Sequence, residues 1–207
     1  MAQQSKITVG RSIAESFLLR AALRPKQAAM REKDFGIWRK ISWADWLRTS
    51  KELAYGLHAL GFAPGDVASI IGNTNPEWCY ADMGVLCAGG ISSGIYPTDS
   101  AKQVEYLLND SASKVVFVED DEQLDKVLEC RLRCPILERI VIFNMEGLQT
   151  FKDPMAMSLD VVEFDLSGVE RETPTNGVRL LLSFSLNKSL KQSLCAARGW
   201  PSISYKP

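Results

Sequence analysis

Histidine is nearly absent from this sequence, which contains only His58 among its 207 residues. A Ser-His-Asp or Cys-His catalytic arrangement therefore has a single candidate base. His58 follows Leu57 and falls off the apolar stripe of the helix predicted around it, so we interpret it as a solvated residue rather than a catalytic one. A histidine-dependent hydrolase is poorly supported.

Long apolar runs are also absent. The N-terminus has no continuous apolar segment suited to a secretory signal, and no later run approaches the roughly 20 residues that span a bilayer. Arg11, Arg20 and Arg24 could belong to an organelle transit peptide, but Glu15 and the stop at Pro25 fit a surface helix better. We expect a cytoplasmic protein without a transmembrane segment.

Neither sign of charge dominates, since the formal net charge is −1 with 24% charged and 46% hydrophobic residues. This composition is typical of a globular domain and does not favour nucleic-acid binding. The five cysteines are odd in number, as expected of reduced thiols. Cys130 and Cys134 fall four residues apart, but two thiols without a nearby histidine do not complete a zinc site. We predict no metal site.

Common nucleotide-binding motifs are missing. No G-x-G-x-x-G follows a predicted strand, and no glycine-rich loop ends in Lys-Ser or Lys-Thr. The glycines of "CAGG" (87–90) and "SSG" (92–94) are interpreted as ending a helix and allowing close backbone packing. The acidic run 119–122 could resemble a divalent-metal cluster, but we interpret it as the solvated first turn of a helix, where the helix dipole favours acidic residues.

The elements that are present indicate an α/β fold. Residues 28–42 read as a hairpin around the turn 34–36, and Ser42 is positioned to cap a helix that stops at Gly61. Strands and helices then alternate three times, which predicts a parallel sheet with crossover helices and apolar strands covered on both faces. The predicted segments are strands 67–71, 91–96, 114–120 and 138–144, and helices 76–90, 100–110 and 121–132.

The hinge "YPT" (96–98) lies where a predicted strand ends, and ligands of open parallel sheets usually bind outside the carboxyl ends of strands. Tyr96 and Thr98 are therefore candidates to border a cleft. The alternative is a purely structural role, because Pro97 biases Tyr96 to extended geometry and Ser100 can cap the next helix. On chemistry alone we favour the turn and cap.

Several phrases in the same order identify a family resemblance. The stretch 56–120, with "NPEW" (75–78) and "IYPT" (95–98), closely resembles the N-terminal part of AMP-forming acyl-CoA synthetases of the adenylate-forming superfamily, and specifically their long-chain fatty acid branch. The resemblance implies that the chain is an incomplete part of the large N-terminal domain of such an enzyme. It covers about residues 10–160.

The family's reaction has two halves. The resemblance implies that a fatty acid carboxylate attacks the α-phosphate of ATP to give acyl-adenylate and pyrophosphate, and that the CoA thiol then displaces AMP. It implies ATP, Mg²⁺ and CoA as cofactors and a long-chain fatty acid as substrate for the full-length family. Such chemistry needs donors for the triphosphate and an apolar tunnel for the acyl chain.

Here the sequence departs from its family. The phosphate-binding loop rich in Ser, Thr and Gly and followed by Pro-Lys-Gly does not occur, nor do the later motifs for adenine, ribose, the hinge and the adenylation lysine. We therefore assign no catalytic, cofactor-binding or metal residue and do not expect the chain to bind the cofactors by itself. Residues 173–207 contain no Asp or Glu but five Lys or Arg.

We expect two regions, a partial AMP-dependent synthetase/ligase N-terminal domain (1–160) and a divergent tail (161–207), out of frame or disordered. The favoured hypothesis is a fragment of a long-chain fatty acid–CoA ligase that is inactive alone. The alternatives are a non-catalytic binding or assembly module that pairs with a full-length relative, another adenylate-forming ligase, or a small complete α/β enzyme. Peripheral membrane contact remains open.

Overall fold

A helix and a hairpin come first in the chain, of which the computed structural model describes residues 10–144 and 161–163. Ser12 caps the first helix, because its Oγ accepts a hydrogen bond from Glu15 N at 3.1 Å. The hairpin turns through Phe35 and Gly36, both at positive φ (+45° and +84°), as a two-residue hairpin loop requires. The predicted hairpin is confirmed. The elements are α1 (Ile13–Leu23), β1 (Ala28–Asp34) and β2 (Ile37–Ser42).

The second helix, α2 (Trp43–Ala59), begins with the predicted cap. Ser42 and Asp45 form a capping box in which each side chain accepts a hydrogen bond from the other residue's backbone N–H. The helix ends before Gly61, which has φ +87°. Both ends follow the sequence prediction.

The remaining described elements form the predicted parallel sheet. Its strand order is β4-β3-β5-β6-β7, and every neighbouring pair is parallel. Helices connect the first four strands in chain order, which is the usual crossover for parallel neighbours. The bounds are β3 (Val67–Ile71), α3 (Pro76–Cys87), β4 (Ile91–Ile95), α4 (Ala101–Asp110), β5 (Ser113–Val118), α5 (Asp121–Cys130), a 3-10 helix (Arg131–Arg133), β6 (Arg139–Ile142) and β7 (Val161–Glu163).

The central strands are buried on both faces. Ile70 and Phe117 point into a core shared with α1, α2 and α3, whereas Ile71 and Val116 point into a second core shared with α4 and α5. Fully burying a side chain of this size contributes about 1.5–3 kcal/mol relative to leaving it exposed. This three-layer packing explains why β3 and β5 are continuous apolar runs rather than alternating ones.

The prediction that glycines allow close backbone packing holds for Gly90 but not for Gly94. A Cβ on Gly90 would lie 2.4 Å from Phe62 Cε1, so the backbone packs against this ring as closely as expected. A Cβ on Gly94 would lie 3.5 Å from Trp78 Cζ2, an ordinary contact, so close packing does not explain Gly94. The helix before them ends at Cys87, earlier than the predicted residue 90.

None of the described helices is both long and apolar enough to cross a bilayer. Of the predicted tail, only β7 belongs to the described residues, where it pairs with β6 in parallel register. The remainder of 161–207 lies outside the described residues.

Candidate functional site: the carboxyl edge of the sheet

Glu119 follows β5 and organises the carboxyl edge of the sheet. Its Oε2 accepts hydrogen bonds from Asn73 N (2.6 Å) and Asn73 Nδ2 (3.0 Å), and its Oε1 accepts one from Asn75 Nδ2 (3.1 Å). Its backbone N–H also bonds the carbonyl of Ile71 at 3.0 Å, and its carbonyl accepts from Asn144 N at 2.9 Å. One residue thus joins the ends of β3, β5 and β6.

Asn75 holds α3 and Glu119 at once. Its Oδ1 accepts a hydrogen bond from Trp78 N at 2.8 Å and so caps α3, while its Nδ2 donates to Glu119. Gly72 permits this approach, because a Cβ there would lie 2.9 Å from the Cβ of Glu119. The amide–carboxylate cluster of Asn73, Asn75 and Glu119 is therefore built into the fold.

The acidic run 119–122 divides into two roles. Asp120 caps α5 by accepting from Gln123 N at 3.0 Å, and Asp121 and Glu122 are exposed in the first turn, as predicted. The prediction is wrong for Glu119, which is half-buried and hydrogen-bonded to three amide groups. The reason is long range: its partners lie 46 and 44 positions away in the chain.

The hinge at residues 96–98 is a turn followed by a cap. Asp99 N donates to the carbonyl of Tyr96 at 3.0 Å, and Ser100 forms a capping box with Gln103 at the start of α4. Lys126 of α5 fixes the turn by donating to the carbonyl of Pro97 at 2.6 Å. The turn and the cap expected from the sequence are both present, and the assignment of Tyr96 and Thr98 as cleft-border residues stays a prediction.

Tyr96 and Thr98 lie at the carboxyl end of β4, the outer strand, and both side chains are exposed, Tyr96 by 77%. No side-chain hydrogen bond joins either residue to another part of the chain that the structure describes, and neither belongs to the amide–carboxylate cluster. A shallow depression adjoins the hinge on α4, lined by Asp99, Ser100, Lys102, Gln103, Tyr106 and Leu107.

His58 lies elsewhere. Its ring Nδ1 is 3.0 Å from the carbonyl of Phe62, and the residue is half-buried, so the expectation of a solvated side chain is wrong. Because Phe62 packs against Gly90, just before β4, His58 sits toward the amino ends of the strands. That position separates it from the carboxyl edge.

The described cysteines are free thiols. Burial raises the pKa of Cys87 to about 11 and, together with the neighbouring Cys134, raises the pKa of Cys130 to about 12. Protonated thiols are poor nucleophiles and poor metal ligands. Within residues 10–144 and 161–163, no group of three His, Cys, Asp or Glu side chains could hold a metal ion. Cys195 lies outside the described residues.

An open parallel sheet with helices on both faces defines an α/β domain of the open-sheet class, and in this one polar residues gather at the carboxyl edge. A family model described as AMP-binding enzyme matches residues 17–173. This chain therefore belongs to the AMP-binding enzyme family.

Two curated proteins to which this chain is similar are named as long-chain-fatty-acid–CoA ligases. The chain is 29% identical over 138 residues to the human long-chain-fatty-acid–CoA ligase ACSBG1, covering 64% of this chain and 19% of that protein. It is 32% identical over 106 residues to the long-chain-fatty-acid–CoA ligase FadD15 of Mycobacterium tuberculosis, covering 51% of this chain and 18% of that protein. The chain thus spans about a fifth of the length of these relatives.

Solved structures agree on the fold. Acetoacetyl-CoA synthetase from Streptomyces lividans is similar with a TM-score of 0.61 and 25% identity, over 67% of this chain and 23% of that one. The anthranilate CoA ligase AuaEII, solved with anthranoyl-AMP, is similar with a TM-score of 0.57 and 25% identity, over 62% and 24% of the two chains. The predicted α/β class and the adenylate-forming fold are confirmed.

The described carboxyl edge does not fit ATP and Mg²⁺. Both carboxylate oxygens of Glu119 already accept hydrogen bonds from amide groups, so this carboxylate is not a free ligand for a cation. Lys126, the cation fixed at the hinge, is engaged by Pro97, Gln123 and Glu122. Its charge is therefore already compensated, and we derive no chemical step from this edge.

Proposed function

We propose that this chain is part of a long-chain fatty acid–CoA ligase and that the 207 residues alone do not catalyse. The full-length enzyme would activate a long-chain fatty acid with ATP and Mg²⁺ through an acyl-adenylate and transfer the acyl group to CoA. Its location would be cytoplasmic. This chain would contribute the described sheet and its carboxyl edge.

One observation carries the proposal: the chain is 29% identical over 138 residues to a ligase named for long-chain fatty acids. The residues matched by the family model, 17–173, include "NPEW" (75–78) and "IYPT" (95–98), the phrases typical of the long-chain branch. In this structure the first phrase begins at the cap of α3 and the second at the end of β4, so both mark structural junctions at the carboxyl edge.

The proposed inactivity follows from what a triphosphate requires. Catalysis of phosphoryl chemistry depends on donors and cations placed around the developing charge. The sequence contains no Ser/Thr/Gly-rich loop followed by Pro-Lys-Gly, and Glu119 and Lys126 of the described edge already hold other groups of this chain. The chain would therefore need further residues to bind ATP.

A second role is favoured by one feature of the sheet. β4 is the outer strand and pairs, among the described residues, only with β3. A free parallel edge can accept another strand, so the chain could instead act as an assembly module that associates with a full-length relative. Co-purification of the tagged chain with such a relative would favour this role, whereas recovery of the chain alone would oppose it.

The gene surrounding the coding region tests the main proposal. We expect a shifted reading frame there to encode the phosphate loop, and the protein made from the restored frame to convert palmitate, ATP and CoA to palmitoyl-CoA. If no frame encodes the loop, the hypothesis that the tail at 161–207 is read out of frame is wrong. A restored enzyme that prefers short carboxylates over palmitate would contradict the long-chain assignment.

A further inference from the structure

One face of the β1–β2 hairpin is basic and carries an aromatic residue. The register pairs Arg31 with Lys40 and Lys33 with Trp38, and paired residues of an antiparallel ribbon share a face. All four side chains are exposed, and neither hydrogen bonds nor ion pairs join the three cations to the part of the chain that the structure describes. We call Arg31, Lys33, Trp38 and Lys40 the outer face.

The acidic residues of the hairpin lie on its other face. Glu32 pairs with Arg39 in the register, and Asp34 forms an ion pair with Arg39. The positive field of the outer face is therefore not neutralised by a carboxylate on the same face. The three cations of the outer face therefore lie on the side of the hairpin opposite Glu32 and Asp34.

The tip of the hairpin is apolar and unusually exposed. Phe35 is 92% exposed, Ile37 70% and Trp38 64%. Phe35 also has φ +45°, a conformation that costs roughly 1–2 kcal/mol for a residue with a Cβ and is normally given to Gly, Asn or Asp. Phe35 therefore lies in a strained backbone conformation with almost no packing on this chain in return, and strain of this kind marks functional positions.

The base of the hairpin is fixed to the domain. Trp43 N donates to the carbonyl of Gln27 at 3.1 Å, and Ala44 N donates to the carbonyl of Pro25 at 3.0 Å, so the start of α2 clamps the segment that enters β1. The tip consequently projects from a held base. It presents Phe35 of the turn and Trp38 of the outer face, with Ile37 at the same end of the hairpin but paired with Asp34 on the other face.

We propose that this hairpin docks the protein on an anionic lipid bilayer. Phe35, Ile37 and Trp38 enter the boundary between head groups and acyl chains, and Arg31, Lys33 and Lys40 lie against the lipid phosphates. Apolar insertion and attraction between cations and anionic lipids are the two components of interfacial binding, and each is weak without the other. Trp at such a boundary satisfies both its apolar ring and its polar N–H.

The apolar side chains at the tip favour a lipid over a nucleic acid as the anionic partner. A nucleic acid would use cations and aromatic stacking, for which Trp38 is suited. It would give no favourable environment to Ile37, an exposed aliphatic side chain beside Phe35.

Vesicle sedimentation with the full 207-residue chain tests the proposal. We expect the chain to sediment with vesicles of phosphatidylcholine and phosphatidylserine, and much less with phosphatidylcholine alone. Replacing any one of Arg31, Lys33 or Lys40 with Gln weakens partitioning about fivefold. Quenching of Trp38 fluorescence by brominated acyl chains, obtained as the difference from Trp38→Phe, reports its insertion.

Phe35→Asn separates binding from folding. Asn tolerates positive φ and precedes Gly36, which makes the favoured Asn-Gly turn, so this variant folds at least as stably as the parent chain. It removes the apolar tip and weakens partitioning about tenfold or more. The matched controls are Leu132→Asn, which removes an 81% exposed apolar residue, and Lys102→Gln, which removes an exposed cation of α4. Neither control changes vesicle binding.

Three results would overturn the proposal. The first is that the chain fails to bind the anionic vesicles. The second is that Phe35→Asn and the outer-face variants bind these vesicles as well as the parent chain does. The third is that a single-stranded oligonucleotide binds through the outer face and displaces the chain from vesicles while Phe35→Asn leaves vesicle binding unchanged.

Discussion

At the scale of the residue, Asn75 and Glu119 matter most for the carboxyl edge. Asn75 uses both atoms of its amide, accepting from Trp78 N at 2.8 Å and donating to Glu119 at 3.1 Å. Glu119 in turn joins strands that are distant in the chain. Hydrogen bonds to a charged acceptor are stronger than neutral ones, and at a half-buried site, where water screens the charge, each contributes about 1 kcal/mol, so this cluster should be visible in the stability of the domain.

Asn75→Ala is expected to lower the free energy of unfolding by about 2 kcal/mol. Loss of an N-cap costs about 1 kcal/mol, and loss of one donor to Glu119 costs a similar amount. Urea denaturation measures the change. Ser12→Ala, which removes only the cap of α1, is the matched control and should cost about 1 kcal/mol. Equal losses in the two variants would refute the coupling between Asn75 and Glu119.

Also at the scale of the residue, Asp66 makes the stability of the domain depend on pH. The hydrogen bond from Ala63 N (2.7 Å), which outweighs the effect of burial, and the one from Lys114 Nζ (2.9 Å) lower the pKa of Asp66 below its ordinary value. In the unfolded chain the pKa returns to about 3.9, so the stabilisation is present above that pH and is lost as pH falls through the lower folded value.

Asp66→Ala should therefore lower the free energy of unfolding by about 1 kcal/mol at neutral pH and by progressively less below about pH 4. Urea denaturation across this range measures the difference between variant and parent. Leu132→Ala, which shortens an exposed side chain that has no titratable group, is the control and should show a difference that does not vary with pH. An Asp66→Ala difference that grows in acid would have the wrong sign for this account.

At the scale of the element, most helices and strands could be predicted from the sequence, but the amide–carboxylate cluster at the carboxyl edge could not. Caps at Ser42 and Ser100, and the turn at Gly36, act within a few residues, so the sequence displays their chemistry directly. The alternation of strands and helices follows from apolar patterning in the same way. Glu119 escaped prediction because an acidic residue before a helix has a local interpretation, and nothing local reveals an amide group 46 positions away.

Gly90 and Gly94 test the packing of elements with the same substitution. Gly90→Ala should lower the free energy of unfolding by about 1–3 kcal/mol, because the new methyl group meets Phe62 Cε1 at 2.4 Å and the carbonyl of Asp66 at 2.9 Å. Gly94→Ala should be neutral or slightly stabilising, since its nearest neighbour is 3.5 Å away. Thermal unfolding compares them, and a Gly94→Ala loss as large as that of Gly90→Ala would contradict this packing.

At the scale of the whole molecule, the fold of this chain identifies its family but does not show that the chain catalyses a reaction. The two cores on either side of β3 and β5 complete a layered α/β unit, yet the chain spans about a fifth of its curated relatives. The family was predictable because many phrases recur in order along the sheet. Where the divergent tail begins stays a prediction, since the family match continues to residue 173. Activity belongs to sites rather than folds, so the fold alone does not establish catalysis here.

Palmitate-dependent pyrophosphate release by the purified 207-residue chain tests the central claim most directly. The chain is incubated with radiolabelled palmitate, ATP and Mg²⁺, beside a full-length long-chain fatty acid–CoA ligase as the positive control. Our account predicts that the control forms acyl-adenylate and pyrophosphate, while this chain stays at the level of a blank without enzyme. Sustained release that requires both palmitate and this chain would contradict it.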